Sequence, residues 1–170
     1  MIDFSKIKGI AFDVDGVLSP STIPLGADGV PLRMVSIKDG YALQHAVKKG
    51  FKIAIISGAN TVAIDIRFRG LGIENIFLGV AHKLPVLQQW IDKEGLQMGE
   101  VAFVGDDIPD IPAMRAAGVA IAPADAAQEV KTVAEYISPN TGGHGVAREI
   151  IEKILAAHGL WLDDEHAFGW

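Results

Sequence analysis

Asp13 and Asp15 stand two residues apart at the end of an apolar run, "GIAFDVD", and three more acids, Asp106, Asp107 and Asp110, close another, "EVAFVGDDIPD". Ser57-Gly58 ends a third such run, and Lys83 follows a fourth. Carboxylates gathered within a few ångströms raise one another's pKa and call for a cation. Oxygen ligands, with no cysteine and no obvious histidine pair, point to Mg²⁺ rather than Zn²⁺. Magnesium takes a few carboxylates and leaves room for a substrate phosphate, whose other oxygens a lysine and a hydroxyl would receive. The chemistry this set could perform is metal-dependent phosphoryl transfer.

Each residue also has a plainer use. "DxD" alone suits a turn or cap, Asp106-Asp107 suits the N-cap of a helix starting near Pro109, and Ser57-Gly58 suits a turn. Lys83 alone reads as a solvated lysine. What selects the functional reading is their joint position, because open parallel sheets bind ligands beyond the carboxyl ends of their strands. His82, His144 and His158 read as surface or helix residues, and Phe68, Trp90 and Trp161 as packing residues.

The elements that must position these groups alternate along the chain. "IKGIAFDV", "FKIAIIS", "NIFLG", "EVAFVG", "GVAIAPA" and a weaker "AEYIS" largely lack polar alternation, as strands covered on both faces do. Between them "IKDGYALQHAVKKG", "NTVAIDIRFRGLG", "HKLPVLQQWIDKEG" and "PDIPAMRAAG" carry helical spacing, with Gly50, Gly72, Gly95 and Gly118 placed to close them. "GGHGVAREIIEKILAAHG" reads as a final helix. This β-α repeat predicts an α/β fold of three layers, α/β/α, around a mostly parallel sheet. Residues 17–36, with three prolines and a central "GADG", predict a projecting β-hairpin turning near Asp28-Gly29. Residues 1–160 are expected to form one domain, and the acidic-aromatic segment 161–170 a tail ordered only if it docks.

With 170 residues, 49% hydrophobic and 21% charged, the chain suits one globular domain. A net charge of −6 argues against a nucleic-acid partner, and no apolar run approaches the roughly 20 residues of a membrane span. The absence of cysteine excludes disulfides and thiolate sites and fits a reducing compartment, and no signal peptide is legible in "MIDFSKIKGI". A cytoplasmic protein is the expectation.

On "DVDGV", "IISG", Lys83 and "GDDIPD", in that order and nearly end to end, the chain resembles the haloacid dehalogenase (HAD) superfamily of phosphatases. "FDVDGVLS", "VSIKDGYAL", "RFRGLGI", "IAPADA" and "GGHGVARE" make it similar to the branch without a cap domain that acts on 3-deoxy-D-manno-octulosonate 8-phosphate (KDO 8-phosphate). It departs from that branch at Ala59, where arginine is usual, at Lys38 before Asp-Gly, again for arginine, and at His144 in "GGHG". Relatives acting on KDN 9-phosphate resemble one another in an acid at the Ala59 position, so its absence tilts the expectation to KDO 8-phosphate.

The resemblance implies a Rossmann-like HAD fold with no cap and a Mg²⁺-dependent phosphatase with an aspartyl-phosphate intermediate. Asp13 is then the nucleophile, Asp15 the general acid and base, and Lys83 a third catalytic group. Asp13, Asp15 (through its carbonyl), Asp106 and Asp107 are the implied metal set, and Ser57, Gly58 and Lys83 the phosphate site. Arg67 and Lys38 are candidates for the rest of the substrate. The apolar hairpin, together with the resemblance, implies a homotetramer in which each subunit helps to cover its neighbour's site. A KDN 9-phosphate or other phosphometabolite phosphatase, or a non-catalytic assembly module of the same fold, are the alternatives; the complete acidic set argues against the last.

Overall fold

Burial along the first strand shows how the sheet is covered. Ile10 and Phe12 pack into one core and Ala11 into another, so successive side chains enter opposite layers. A computed structural model, describing residues 2–170, contains six strands: β1 (Gly9–Phe12), β2 (Lys52–Ile56), β3 (Asn75–Phe77), β4 (Val101–Val104), β5 (Val119–Ala122) and β6 (Tyr136–Ile137). Every residue of β1, β4 and β5 is buried, which is why these segments read as unbroken apolar runs. All neighbouring pairs are parallel, in the order β3-β2-β1-β4-β5-β6.

The helices are α1 (Ile37–Lys48), α2 (Val62–Arg69), α3 (Lys83–Glu94), α4 (Ile111–Ala116), α5 (Gln128–Val133) and α6 (Val146–Ala157). α1, α2 and α6 cover one face through Leu43, Phe68 and Ile150; α3, α4 and α5 cover the other through Trp90, Met114 and Val130. Phe12 and Phe103, fully buried, contribute about 1.5–3 kcal/mol each by leaving water. This is the expected three-layer α/β/α arrangement, with no cap. No helix among the described residues is long and apolar enough to cross a membrane.

The strand order places the site. The chain winds outward from β1 through β2 to β3, then restarts beside β1 at β4 and winds the other way. Helices on opposite faces diverge at that reversal, leaving a crevice beyond the ends of β1 and β4.

Residues 17–36 double back as expected, but as a sparse hairpin. Leu25 and Pro31 form a single antiparallel bridge; Gly26 N–H donates to the Val30 carbonyl and Leu32 N–H to the Pro24 carbonyl, both at 2.8 Å. Pro24 has no N–H to return to the Leu32 carbonyl, so the ladder stops there. Gly50, Gly72 and Gly95 adopt left-handed backbone beyond their helices, but Gly118 does not. A Cβ there would lie 2.3 Å from the Gly99 carbonyl oxygen, so Gly118 serves a close backbone approach instead.

The tail docks. Lys49, just past α1, pairs with Asp163 at 2.6 Å and Asp164 at 2.7 Å, the Tyr41 hydroxyl donates to the Ala167 carbonyl, and Trp170 meets Tyr41 edge to face. Arg148 of α6 lies 4.8 Å from the Trp161 ring.

Candidate active site

Asp13 immediately follows β1, and its N–H donates to the Val104 carbonyl at 3.0 Å, continuing the β1–β4 pairing one step beyond the strand. That bond sets Asp13 beside the turn after β4, which carries Asp106. The next turn is tight: Leu18 and Ser19 both donate their N–H to the Val14 carbonyl at 2.9 Å, which brings Asp15 to the rim. Gly16 has φ of +84°, and a Cβ there would lie 1.9 Å from Asp106 Oδ2. Any side chain at Gly16 would therefore be strained and would displace the Asp106 carboxylate.

Lys83, the first residue of α3, is buried, and its Nζ bridges Asp13 Oδ1 at 2.9 Å and Asp110 Oδ1 at 2.6 Å. Asp110 uses its other oxygen to accept the N–H groups of Asp106 at 2.9 Å and Asp107 at 3.2 Å. With both oxygens occupied, Asp110 organises the turn and holds the lysine. Asp107 caps the 3-10 turn Ile108–Asp110, accepting from the Ile108 N–H at 2.8 Å, and stands exposed at the mouth. Ser57 is buried after β2; its Oγ accepts from the Ala59 N–H at 3.2 Å, which leaves its own hydroxyl hydrogen to donate.

These groups line one cleft of about 470 Å³, whose wall carries Asp13, Asp15, Ser57, Gly58, Lys83, Asp106 and Asp107. Oxygens of Asp13, Asp106 and Asp110 all lie within 4.8 Å of one another. The electrostatics register the crowding. Burial, then the Asp110 carboxylate, push the Asp13 carboxyl up to about 6 despite the pull of Lys83. Burial, then Asp13, Asp110 and Asp107, push Asp106 up to about 8. Burial works against the charge on Lys83, but Asp13 and Asp110 outweigh it and hold its pKa above the ordinary value. One ammonium does not neutralise three carboxylates. The donor set, all carboxylate oxygen, fits a hard divalent cation such as Mg²⁺.

Two candidates lie elsewhere. Lys38 is exposed on the first turn of α1 and does not line the cleft. Arg67, on α2, borders a separate, mainly apolar recess of about 340 Å³ under the hairpin, formed with Val30, Leu32 and Ile64. It lies there because Gly40 on α1 leaves space for it: a Cβ at Gly40 would come within 2.4 Å of Arg67 Nη2. Conversely, Arg33 emerges only from the structure. From the hairpin it donates Nε and Nη2 to the two oxygens of Asp15, each at 2.8 Å. It is the only basic residue in positions 17–36, a cation alone in an apolar segment, and that was its one sequence signal.

Residues 35–118 match the family model for haloacid dehalogenase-like hydrolase. A 3-deoxy-D-manno-octulosonate 8-phosphate phosphatase, KdsC, of Escherichia coli (strain B / BL21-DE3) is 33% identical over 159 residues, 94% of this chain and 85% of that one. Among solved structures, the 3-deoxy-D-manno-octulosonate 8-phosphate phosphatase of Moraxella catarrhalis, in complex with magnesium ion, phosphate ion and KDO, superposes with a TM-score of 0.88. It is 35% identical, and the match covers 93% of this chain and 91% of that one. The cobalt-bound deoxy-D-mannose-octulosonate 8-phosphate phosphatase (YrbI) of Haemophilus influenzae gives a TM-score of 0.91 at 30% identity, covering 98% of this chain and 99% of that one.

Proposed function

Because the chain belongs to the KDO 8-phosphate phosphatase family of haloacid dehalogenase-like hydrolases, and is thus a phosphoric monoester hydrolase with Mg²⁺ as its cofactor, we propose that it converts KDO 8-phosphate to KDO and phosphate. The observation that carries this reading is the convergence of Asp13, Lys83, Asp106 and Ser57, from four different strand ends, on one cleft. The substrate rests on the relatives' activity and on similarity running through 94% of the chain.

Asp13 attacks phosphorus and the bond to the sugar's C8 oxygen breaks, giving an aspartyl-phosphate and splitting one hard hydrolysis into two easier steps. Asp15 gives its proton to the departing sugar oxygen, then takes one from the water that attacks the aspartyl-phosphate. Phosphate leaves and Asp13 is restored. Ser57, the Gly58 amide and Lys83 hold the phosphoryl oxygens, where fixed donors stabilise the charge that develops. Mg²⁺, when bound, would be held by Asp13, Asp106 and the Asp15 carbonyl with Asp107 in support, and would supply positive charge against the phosphoryl oxygens.

Arg67 is proposed for the sugar acid's carboxylate, which it would meet through Nη1, since its Nε and Nη2 are buried within its own chain. It does not line the cleft of its own chain, so this role needs a neighbouring copy whose cleft abuts the recess. Lys38, exposed on α1, would likewise reach only a neighbour's substrate. Assembly and substrate recognition are thereby linked. The test is kcat/KM with Mg²⁺ for KDO 8-phosphate, KDN 9-phosphate and a simple hexose phosphate. KDO 8-phosphate is expected to lead by at least about a hundredfold over the hexose phosphate, a margin that several polar contacts can supply. Equal values would overturn the substrate, and a lead for KDN 9-phosphate would replace it.

A further inference from the structure

We infer that Arg33 is a positioning residue that fixes the Asp15 carboxylate for proton transfer, an inference that rests on the phosphatase reading above. Arg33 borders the apolar recess and not the cleft, so it acts through Asp15 rather than on the substrate. Its side chain is 12% exposed, whereas that of Asp15 is 42% exposed. Asp15 stands on a turn at the open rim, where an unrestrained carboxylate would sample several rotamers. The side-on pair, Nε to Oδ1 and Nη2 to Oδ2, fixes the plane of the carboxylate as one bond could not. The clamp is itself anchored. Arg33 Nη1 donates to the Pro31 carbonyl at 3.4 Å, and the next residue, Met34, donates its N–H to Ser19 Oγ at 3.2 Å. Ser19 is fully buried and its carbonyl accepts from the Gly16 N–H at 2.9 Å, so the returning limb of the hairpin is tied to the turn that bears Asp15. Each carboxylate oxygen keeps a further lone pair, and these serve the cleft.

An aligned proton donor matters only where the leaving group needs a proton. A sugar alkoxide does, whereas p-nitrophenolate does not. The experiment therefore compares wild type, Arg33→Lys and Arg33→Ala on KDO 8-phosphate, on a hexose phosphate and on p-nitrophenyl phosphate, at saturating Mg²⁺, in the first turnover as well as in the steady state. For Arg33→Ala, kcat on both sugar phosphates is expected to fall about a hundredfold, the scale of a misplaced catalytic group. KM and the first-turnover rate of p-nitrophenolate release, which precedes the attack of water that Asp15 assists for every substrate, should change by less than about threefold. Arg33→Lys should fall between wild type and Arg33→Ala, because an ammonium does not bridge two oxygens as the fork does. In an Asp15→Asn background, Arg33→Lys should cost nothing further on sugar phosphates. Equal losses in the first-turnover release of alkyl and aryl leaving groups, or a further loss in the Asp15→Asn background, would overturn the inference. If Arg33→Ala does not fold, Arg33→Lys carries the same comparison. A wrong KDO assignment would show separately, as wild-type indifference between KDO 8-phosphate and the hexose phosphate, and the alkyl-to-aryl contrast would still report on Arg33.

Discussion

At Asp106 the cost of building the cleft is concentrated on one side chain. Its carboxyl is pushed from the ordinary 3.8 up to about 8, so in the metal-free fold it holds a proton that the unfolded chain has already released at neutral pH. Between those values the folded state binds more protons, and stability falls as pH rises from about 4 to about 8. Asp13, raised to about 6, adds to the same trend over the lower part of the window. Metal-free protein should therefore melt at a lower temperature at pH 8.5 than at pH 5.5, and Mg²⁺ should recover more of the loss at the higher pH. In Asp106→Asn the metal-free melting temperature should vary less with pH, exceed wild type at pH 8.5, and no longer respond to Mg²⁺. Calorimetric scans at the two pH values, with and without the ion, check this; a wild-type melting temperature that climbs with pH would contradict it. Asp13, Asp15, Ser57, Gly58, Lys83, Asp106 and Asp107 were legible in the sequence as one cleft because a parallel sheet carries its strand ends to one edge. Arg33 was not legible, since its bond to Asp15 depends on how the hairpin folds back over 18 positions. Nor was the dual grip of Asp110 on Lys83 and two amides, which needs the turn's geometry.

At the scale of elements, both faces of the sheet are covered, and that made the strands readable: a run such as "VAFV" has no polar side to hide. Helix α5 went unread because it is one short stretch, Gln128–Val133, that buries only Val130 and therefore shows no period. The glycine that ends the α4 segment was read for the wrong reason. Gly118 keeps an ordinary φ, and what it supplies is the missing Cβ against the backbone of Gly99, beside the turn that feeds β4. Gly118→Ala should accordingly destabilise the fold by about 1–3 kcal/mol, the usual cost of overpacking where the obstructing atoms are backbone. Urea unfolding measures it directly, and an unchanged midpoint would show that the two backbones can part without cost.

For the whole molecule, the question is what covers an open cleft in a chain that has no cap. The hairpin exposes Leu25, Leu32 and Met34, each more than half accessible, and α2 exposes Val62 and Ile66 beside it. Exposed apolar groups so close together favour association, and closed symmetry is its usual form. The tail packs on α1 of its own chain, with no residue in the cleft wall. Light scattering should therefore find a tetramer, and Leu32→Asp should dissociate it. If Arg67 serves a neighbour's cleft, Asp13→Asn and Arg67→Ala proteins should each be deficient on KDO 8-phosphate, yet regain activity when their subunits are mixed. Mixtures no more active than their parents would confine each site to one chain. The central claim, that Asp13 takes the phosphoryl group from KDO 8-phosphate, is tested most directly by a single-turnover experiment. Substrate radiolabelled at phosphorus is mixed with excess enzyme and Mg²⁺, quenched in acid at successive times, and the protein is digested and mapped. The account predicts label that rises and then decays on the peptide carrying Asp13, as free phosphate accumulates. Phosphate released with no labelled protein at any time, or label on another residue, would contradict it.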